Sequence, residues 1–466
     1  MGFFTYVNHA SFKINVDDIN LIIDPWLEGS VFDQGWDLLV ETPSSFFDFS
    51  KITHIWFSHE HPDHFAPWCL KKIDESLRKK ITILFQYTKD RRVINFCKSL
   101  SFQVIEMQNC KEYSLSKNLN LTCGKMGDAA IDSWLLINVY GTKILNLNDC
   151  VVDDFKTANS IYEITGNIDV LCTQFSYANW VGNPEDIERR QQFRREKLLR
   201  IKLQNEVFKP SFTMPFASFV YFSHEENKYL NADINTIDEV VEFIKNKTNS
   251  KPIVFFPEDN WDFKEVWCNK NALLKYSKAY SDLSTKKFTK PGDLDELQLM
   301  NLAKNYSQNI KKNNNKLLLF LYSKFCGELY IKLFYSGSNY KFNLWSGLKE
   351  IKTKNKYDVE MSAESLATIL KFEWGIGSVQ VNGRFRAYNG GEAKLAKVFL
   401  LGLLNSTDHY LSLPFMFNFC FRKIMTFFPS KIISVLSKFN IKTELEYDID
   451  YSYYKSWDKY ILTKVK

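Results

Sequence analysis

The sequence of 466 residues lacks closely paired cysteines. Its nine cysteines form no Cys-x-x-Cys pair, and none has a histidine two or three residues away. Because zinc knuckles, Rieske centres and disulfide frameworks use such spacings, the sequence predicts none of them. Thiols without partners indicate a reducing compartment. The first residues also lack a basic and apolar leader, so we expect a cytoplasmic protein.

Long hydrophobic runs are also absent. The uncharged stretch 410–421 has 12 residues, whereas a membrane-spanning helix needs about 20. Two interpretations of this aromatic stretch stay open. It is either a buried helix pair or an amphipathic segment that makes peripheral contact with a membrane.

Charge of either sign is in little excess. The chain has 60 basic and 54 acidic residues, which gives a formal net charge of +6. This balance does not favour a nucleic acid partner, and an anionic small-molecule substrate suits it equally well. With 45% hydrophobic and 16% aromatic residues, the chain can fill more than one core.

Apolar runs and turn signals predict two α/β domains. The first, residues 1–268, alternates short strands with helices, including a long charged helix at 184–207. Residues 269–316 are polar and are predicted to be a linker. Residues 317–466 form a smaller C-terminal α/β accessory domain, with predicted strands at 317–322 and 327–335 and predicted helices at 362–374 and 391–404.

A cluster of metal-binding residue types follows the predicted strand 54–58. The run Ser58-His-Glu-His-Pro-Asp-His64 contains three of the seven histidines of the chain. His59 and His61 alternate, so both can face one metal ion, while Asp63 and His64 can reach a neighbouring position. Nitrogen and oxygen ligands of this kind suit divalent transition metals. The run therefore predicts a metal site.

The pattern His59-x-His61-x-Asp63-His64 directly after a strand resembles the signature of the metallo-β-lactamase superfamily. This resemblance implies an αββα sandwich followed by the C-terminal α/β domain. Other segments are similar to the UlaG-like group or the CMP-N-acetylneuraminate hydroxylase family, and these are 6–12, 21–26, 144–150, 194–199, 214–219 and Ser223-His224.

The resemblance also assigns roles to single residues. It implies that Asp149 bridges two metal ions and that His224 completes the second site beside Asp63 and His64. His9 matches a position near the pocket, where it contacts substrate or supports a ligand, so His9 and Asp63 are the catalytic candidates. Asp24 is expected to be structural.

One departure from the superfamily pattern concerns the first metal. Between the cluster and Asp149 the superfamily usually supplies a third histidine, but this sequence has only Gly127-Asp-Ala-Ala-Ile-Asp132 there. Asp128 is the first candidate for a substitute ligand and Asp132 is the second. A carboxylate at this position moves the preference from zinc toward iron or manganese.

Three functions fit the pattern. The first is an iron-dependent hydroxylase (monooxygenase) of a sugar nucleotide or an amino-acid-derived molecule. Similar hydroxylases carry a Rieske domain, so electrons are expected from a separate ferredoxin or Rieske-type donor. The second is a hydrolase of esters, lactones or phosphodiesters, in which Asp63 orients a metal-bound hydroxide. The third is a degenerate binding protein without activity.

A basic helix is the candidate for contact with an anionic substrate. Its cations are Arg189, Arg190, Arg194, Arg195 and Lys197. The same residues also fit an ordinary solvated helix face.

Overall fold

A computed structural model describes residues 3–126, 131–263, 267–292, 294–352 and 357–413. These residues divide into two compact units, one ending at Thr289 and the other starting at Lys290. The polar segment predicted as a linker is helical over much of its length, at Lys270–Ser281 and Glu296–Asn313. The boundary between the units lies between these two helices.

The N-terminal unit contains sixteen strands and seven α-helices among its described residues. The strands are β1 (Phe3–Asn8), β2 (Ser11–Val16), β3 (Ile19–Ile23), β4 (Trp36–Leu38), β5 (His54–Phe57), β6 (Thr82–Gln86), β7 (Gln103–Met107), β8 (Glu112–Ser116), β9 (Leu119–Lys125), β10 (Ser133–Val139), β11 (Thr142–Asn146), β12 (Val170–Gln174), β13 (Phe212–Phe216), β14 (Val220–Phe222), β15 (Lys251–Pro252) and β16 (Asn260–Trp261). The helices are α1 (Pro67–Lys72), α2 (Glu75–Arg78), α3 (Arg92–Ser99), α4 (Phe155–Thr165), α5 (Ile187–Phe208), α6 (Ile237–Lys247) and α7 (Lys270–Ser281).

Two seven-stranded sheets form the frame of this unit. The first has the order β16-β1-β2-β3-β5-β6-β7 and the second has the order β15-β13-β12-β11-β10-β9-β8. One continuous core joins them, since it contains Phe12 and Trp56 from the first sheet and Ile137 and Cys172 from the second. The sheets therefore pack face to face.

Helices cover the outer faces of the sheets. Along β10, Leu135 belongs to the core between the sheets, whereas the neighbouring Trp134 packs in a second cluster with Ile161 of α4 and Phe208 of α5. This alternation is the period of two expected of a strand buried on both faces. On the first sheet, α3 contacts β6 and β7. The αββα sandwich is confirmed.

Several strand ends and turns meet at one edge of the sandwich. β3 and β5 are parallel, as are β11 and β12, so the segments that follow them leave on the same side. β10 is antiparallel to β11, which brings the residue before β10 to that side as well. The β1–β2 turn joins them because β1 runs antiparallel to β2 and β2 antiparallel to β3. This edge gathers the polar side chains described below.

The C-terminal unit is a separate α/β unit. Its sheet has the order β19-β18-β17-β20-β21. Its elements are α8 (Glu296–Asn313), α9 (Lys316–Cys326), β17 (Leu329–Leu333), β18 (Asn339–Asn343), β19 (Gly347–Ile351), β20 (Val359–Met361), α10 (Ala363–Lys371), α11 (Gly375–Asn382), β21 (Phe385–Ala387) and α12 (Gly391–Ser406).

The predicted strand at 317–322 is wrong, because this segment lies inside α9. The Asn315 side chain accepts hydrogen bonds from the backbone N–H groups of Leu317 and Leu318, both at 3.1 Å, and so caps a helix start. The helix ends at Gly327, whose φ of +73° suits glycine. The predicted strand at 327–335 and the two predicted helices are confirmed by β17, α10 and α12.

Peripheral membrane contact was one interpretation of the uncharged stretch 410–421. Residues 414–421 of this stretch lie outside the described residues. Within the described ranges, no helix combines the length and the apolar character needed to cross a bilayer.

Candidate metal centre

Histidine and aspartate side chains converge at the shared edge of the two sheets. Three groups of possible metal ligands occur there, and within each group the ligand atoms lie within 4.8 Å of one another. The groups are His59, His61 and Asp132; His9, Asp63 and His64; and His59, His64 and Asp149.

The first group combines two histidines with one carboxylate. His59 Nε2 lies 2.9 Å from His61 Nδ1 and 3.7 Å from Asp132 Oδ1. The histidines follow β5, and Asp132 directly precedes β10. Two histidines and one carboxylate are the ligand set of many non-haem iron sites.

The second group has the same composition. Asp63 Oδ2 lies 3.6 Å from His9 Nε2 and 3.5 Å from His64 Nε2. His9 occupies the β1–β2 turn with a positive φ of 42°, and it is 1% exposed. The sequence identified His9 as a residue near the pocket. The structure brings its ring into the ligand group itself.

Asp149 belongs to the third group, which shares His59 with the first group and His64 with the second. Its Oδ1 lies 3.6 Å from His64 Nε2. In the segment after β11, the residue directly before Asp149 is Asn148, whose φ is +46°. Asp149 therefore lies close to one histidine from each of the other two groups.

Asp128 and His224 were predicted as ligands but are in none of the three groups found among the described residues. Asp128 lies outside the described residues, and Asp132 is the carboxylate that the structure places beside His59 and His61. His224 is fully buried, but it belongs to none of the three groups. Its Nδ1 accepts a hydrogen bond from the backbone N–H of Glu226 at 3.2 Å. The structure thus has His9, and not His224, in the group with Asp63 and His64.

The side chains fit a pair of metal ions. Among the described residues, both ring nitrogens of His9, Oδ1 of Asp63 and Nε2 of His64 are buried without a hydrogen-bond partner. Leaving such groups unsatisfied costs about 1–3 kcal/mol each. Coordination by metal ions would satisfy them with the nitrogen and oxygen donors that these ions bind.

Asp24 supports the ligand His64 from the side opposite the ligand group. Its Oδ2 lies 2.9 Å from His64 Nδ1 and accepts hydrogen bonds from Ser58 Oγ at 2.8 Å and Asn148 Nδ2 at 3.0 Å. Its Oδ1 accepts from the backbone N–H of Ser58 at 2.8 Å. These contacts join the ends of β3, β5 and β11, and they leave His64 Nε2 facing the ligand group.

The charge states of the histidines differ. Burial lowers the pKa of His61, and burial with repulsion from His64 holds the pKa of His59 well below its usual value. Both are neutral, which is the form that binds metal. Burial acts in the same direction on His64, but Asp63, Asp149 and Asp24 outweigh it and hold its pKa well above the usual value.

The carboxylates also differ. Burial acts to raise the pKa of Asp149, but the neighbouring His64 outweighs this and lowers it to about 2. For Asp63, His64 likewise overcomes burial and keeps the pKa well below normal. Burial, with the negative charges of Asp149 and Asp63, raises the pKa of Asp132 to about 7. At neutral pH, His64 is therefore protonated in the metal-free protein, and Asp132 is partly protonated.

Three residues around the centre were not predicted from the sequence. Ser58 and Asn148 bond to Asp24, and Gln174 donates to Asp149 Oδ1 at 3.1 Å. Ser58 and Asn148 directly precede predicted ligands, so adjacency was the available signal. Gln174 carried no signal beyond its place at the end of a strand.

Comparison with known proteins agrees with this geometry. Residues 4–187 match the family model of the beta-lactamase superfamily domain. Residues 4–187 therefore carry a domain of the metallo-β-lactamase superfamily. Its site combines that fold with histidine and aspartate groups suited to binding metal.

The curated relatives are hydroxylase sequences. The chain is 27% identical over 316 residues to inactive cytidine monophosphate-N-acetylneuraminic acid hydroxylase of Homo sapiens, covering 58% of this chain and 62% of that protein. It is 28% identical over 306 residues to the cytidine monophosphate-N-acetylneuraminic acid hydroxylase of Pongo pygmaeus, covering 56% and 51%. The chain thus spans about half to three fifths of the length of these relatives.

A solved structure with a similar fold is CmlA, a diiron beta-hydroxylase from Streptomyces venezuelae. The TM-score is 0.40 at 14% identity, over 56% of this chain and 53% of that chain.

Proposed function

We propose that this chain is a dinuclear iron-dependent hydroxylase that acts on an anionic small molecule. The observation that carries the proposal is the pair of ligand groups with two histidines and one carboxylate each, together with Asp149, whose group shares one histidine with each of them. Such a set with open positions is typical of non-haem iron oxygenases. Because some zinc hydrolases also use two histidines and one carboxylate, the identity of the bound metal is the deciding measurement.

Each ligand has a defined task in this proposal. His59, His61 and Asp132 would hold one metal ion, His9, Asp63 and His64 would hold the other, and Asp149 would be available as a ligand to both. Bound iron would supply the activation of oxygen for hydroxylation of a C–H bond. Manganese and zinc are the alternative metals for the same donors.

Aromatic side chains limit the access of water to the ligands. The ring of Trp26 lies 5.5 Å from that of His9, and the ring of Phe32 lies 5.7 Å from that of His61. His59 and His64 have no exposed surface. A centre shielded in this way favours reaction with a bound substrate over side reactions with solvent.

The substrate class and the electron donor belong to the proposal as well. The names of the curated relatives include a sugar nucleotide, and we infer an anionic substrate of this kind or an amino-acid-derived molecule. We also propose a ferredoxin or Rieske-type electron donor, since none of the cysteines among residues 1–466 has a histidine two or three residues away.

The experiment is metal analysis of the full chain purified without oxygen after growth with iron, zinc and manganese. We expect two iron ions per chain, and oxygen uptake when a reduced ferredoxin is supplied. Two zinc ions with hydrolysis of bis(p-nitrophenyl) phosphate would support a hydrolase instead, and a metal-free protein would support a binding protein. His54→Ala is the control, because His54 lies on β5 outside the three groups.

A further inference from the structure

Helix α5 presents one continuous stripe to the interior of the N-terminal unit. The stripe follows helical spacing and consists of the buried residues Arg190, Ile201, Gln204 and Phe208 and the half-buried residues Arg194 and Lys197. Arg195 and Lys202, in contrast, are exposed. Lys197 therefore lies on the inward side of α5 and not on its solvated face.

The other polar residues of the stripe have matched partners. Arg190 Nε lies 2.7 Å from Asp233 Oδ2, and Arg194 pairs with Glu239. Gln204 accepts a hydrogen bond from Thr173 at 2.6 Å. These contacts explain why arginines and a glutamine tolerate an inward position.

Lys197 is different, because its hydrogen-bond partner is a neutral side chain. Its Nζ donates to Gln174 Oε1, and Gln174 Nε2 donates to Asp149 Oδ1. The ammonium group thus lies one side chain away from the bridging position of the metal centre. An ammonium group has three donors, so two are left when one serves Gln174.

Arg200 lies one turn further along α5 and is similarly short of acceptors. Its Nε is buried without a hydrogen-bond partner in the described part of the chain. Its guanidinium is 3.8 Å from the half-exposed Asp153 and is itself 14% exposed. Both cations lie within electrostatic range of Asp149 and of each other.

We propose that Lys197 and Arg200 bind an oxyanion of the substrate, a phosphate or a carboxylate group, next to the metal centre. This inference rests on the proposed function, since it locates the substrate of the same site. Oxyanions accept several hydrogen bonds at once and supply the negative charge that two partly buried cations require.

The surrounding charge supports this assignment. Burial and the neighbouring Arg200 lower the pKa of Lys197 to about 7, although Asp149, Asp153 and Glu196 act in the opposite direction. Two divalent cations at the centre would add further positive charge. A bound oxyanion would stabilise the charged form of Lys197.

The test is isothermal titration of the metal-loaded full chain with sulfate, which represents a tetrahedral oxyanion, and with acetate, which represents a carboxylate. Wild type, Lys197→Met and Arg200→Met are compared at low ionic strength. Lys202→Met is the matched control, because Lys202 lies on the same helix but is exposed and pairs with Glu206 at 3.7 Å. Metal content and thermal midpoint are measured for each variant.

We expect the dissociation constant of sulfate or acetate to rise about tenfold or more in Lys197→Met and in Arg200→Met. The dissociation constant of Lys202→Met should equal that of the wild type. Lys197→Arg should recover part of the affinity. Tighter binding of sulfate than of acetate would assign a phosphate group, and the reverse would assign a carboxylate.

Equal affinity in wild type and Lys197→Met, with full metal content in both, would overturn the inference and leave the proposed function intact. An equal loss in Lys202→Met would also overturn it, because the effect would then come from overall charge. Failure of the proposed function would show separately, as wild-type protein without two iron ions.

Discussion

Oδ2 of Asp24 lies 2.9 Å from Nδ1 of His64, and both side chains are completely buried. A carboxylate in this position fixes the proton on Nδ1 and directs the lone pair of Nε2 toward a metal ion. The same carboxylate binds Ser58 and Asn148, so it links three strand ends to one ligand.

Asp24→Asn should therefore weaken metal binding although Asp24 is not a ligand. Both carboxylate oxygens of Asp24 accept hydrogen bonds, but the amide nitrogen of an asparagine cannot accept one. The substitution should therefore remove a contact that orients the His64 ring. We expect a loss of about 10- to 100-fold in the affinity of one of the two metal ions. Competition with a chelator measures this. Asp17→Asn, in an exposed turn beside Asn118, is the control. Unchanged affinity in Asp24→Asn would contradict the role.

Asp132→Ala should remove about one metal ion per chain, because it leaves His59 and His61 without their carboxylate. Asp132→His should restore the metal content and increase the preference for zinc over iron. Elemental analysis of protein loaded from equal amounts of both metals distinguishes these results. Asp128→Ala serves as the comparison. If it loses a metal ion while Asp132→Ala keeps both, Asp128 is the ligand.

His9→Ala should reduce the metal content, whereas His224→Ala should leave it unchanged. His224 Nδ1 accepts a backbone hydrogen bond, and His224 belongs to none of the three ligand groups, whereas His9 belongs to one of them. Both nitrogens of His9 lack partners among the described residues. Metal stoichiometry of the two purified variants decides between them. The opposite result would return the role to His224.

Metal affinity should rise with pH between about pH 6 and about pH 8. The pKa of His64 is raised well above normal by its carboxylate neighbours, and the pKa of Asp132 is raised to about 7 by burial. Both groups hold protons that metal ions must displace, so low pH opposes binding. Chelator competition across this range measures the slope, which should be shallower in Asp132→Ala. A flat profile in the wild type would argue against these charge states.

Local sequence was sufficient to predict those metal ligands that are adjacent in the chain or that follow a clear strand. His59, His61, Asp63 and His64 lie within one short segment, and Asp149 follows the second strand of a hairpin with a Gly141 turn. Sequence spacing alone predicts that such residues share an edge. The αββα fold was predicted on the same basis, from the resemblance that these residues carry.

Other parts of the site depend on contacts that no local pattern records. Asp128 and Asp132 are four residues apart in the sequence, and spacing does not choose between them. Ser133, directly after Asp132, donates a hydrogen bond to the Ser58 carbonyl at 2.5 Å. Lys197 resembled a solvated cation in sequence, because its inward position depends on the packing of α5 against β12.

The segment 317–322 illustrates a different difficulty. Its leucines show no clear period of two or of 3.6, and short apolar runs of this kind fit a strand and a helix equally well. The cap at Asn315 decided the outcome, since it satisfies the first backbone N–H groups of α9.

Anomalous diffraction at the iron edge, from crystals grown without oxygen, tests the central claim most directly. Two iron peaks are predicted. One should lie within bonding distance of His59, His61 and Asp132 and the other within bonding distance of His9, Asp63 and His64, with Asp149 between them. A single peak, or two peaks away from these side chains, would contradict the account.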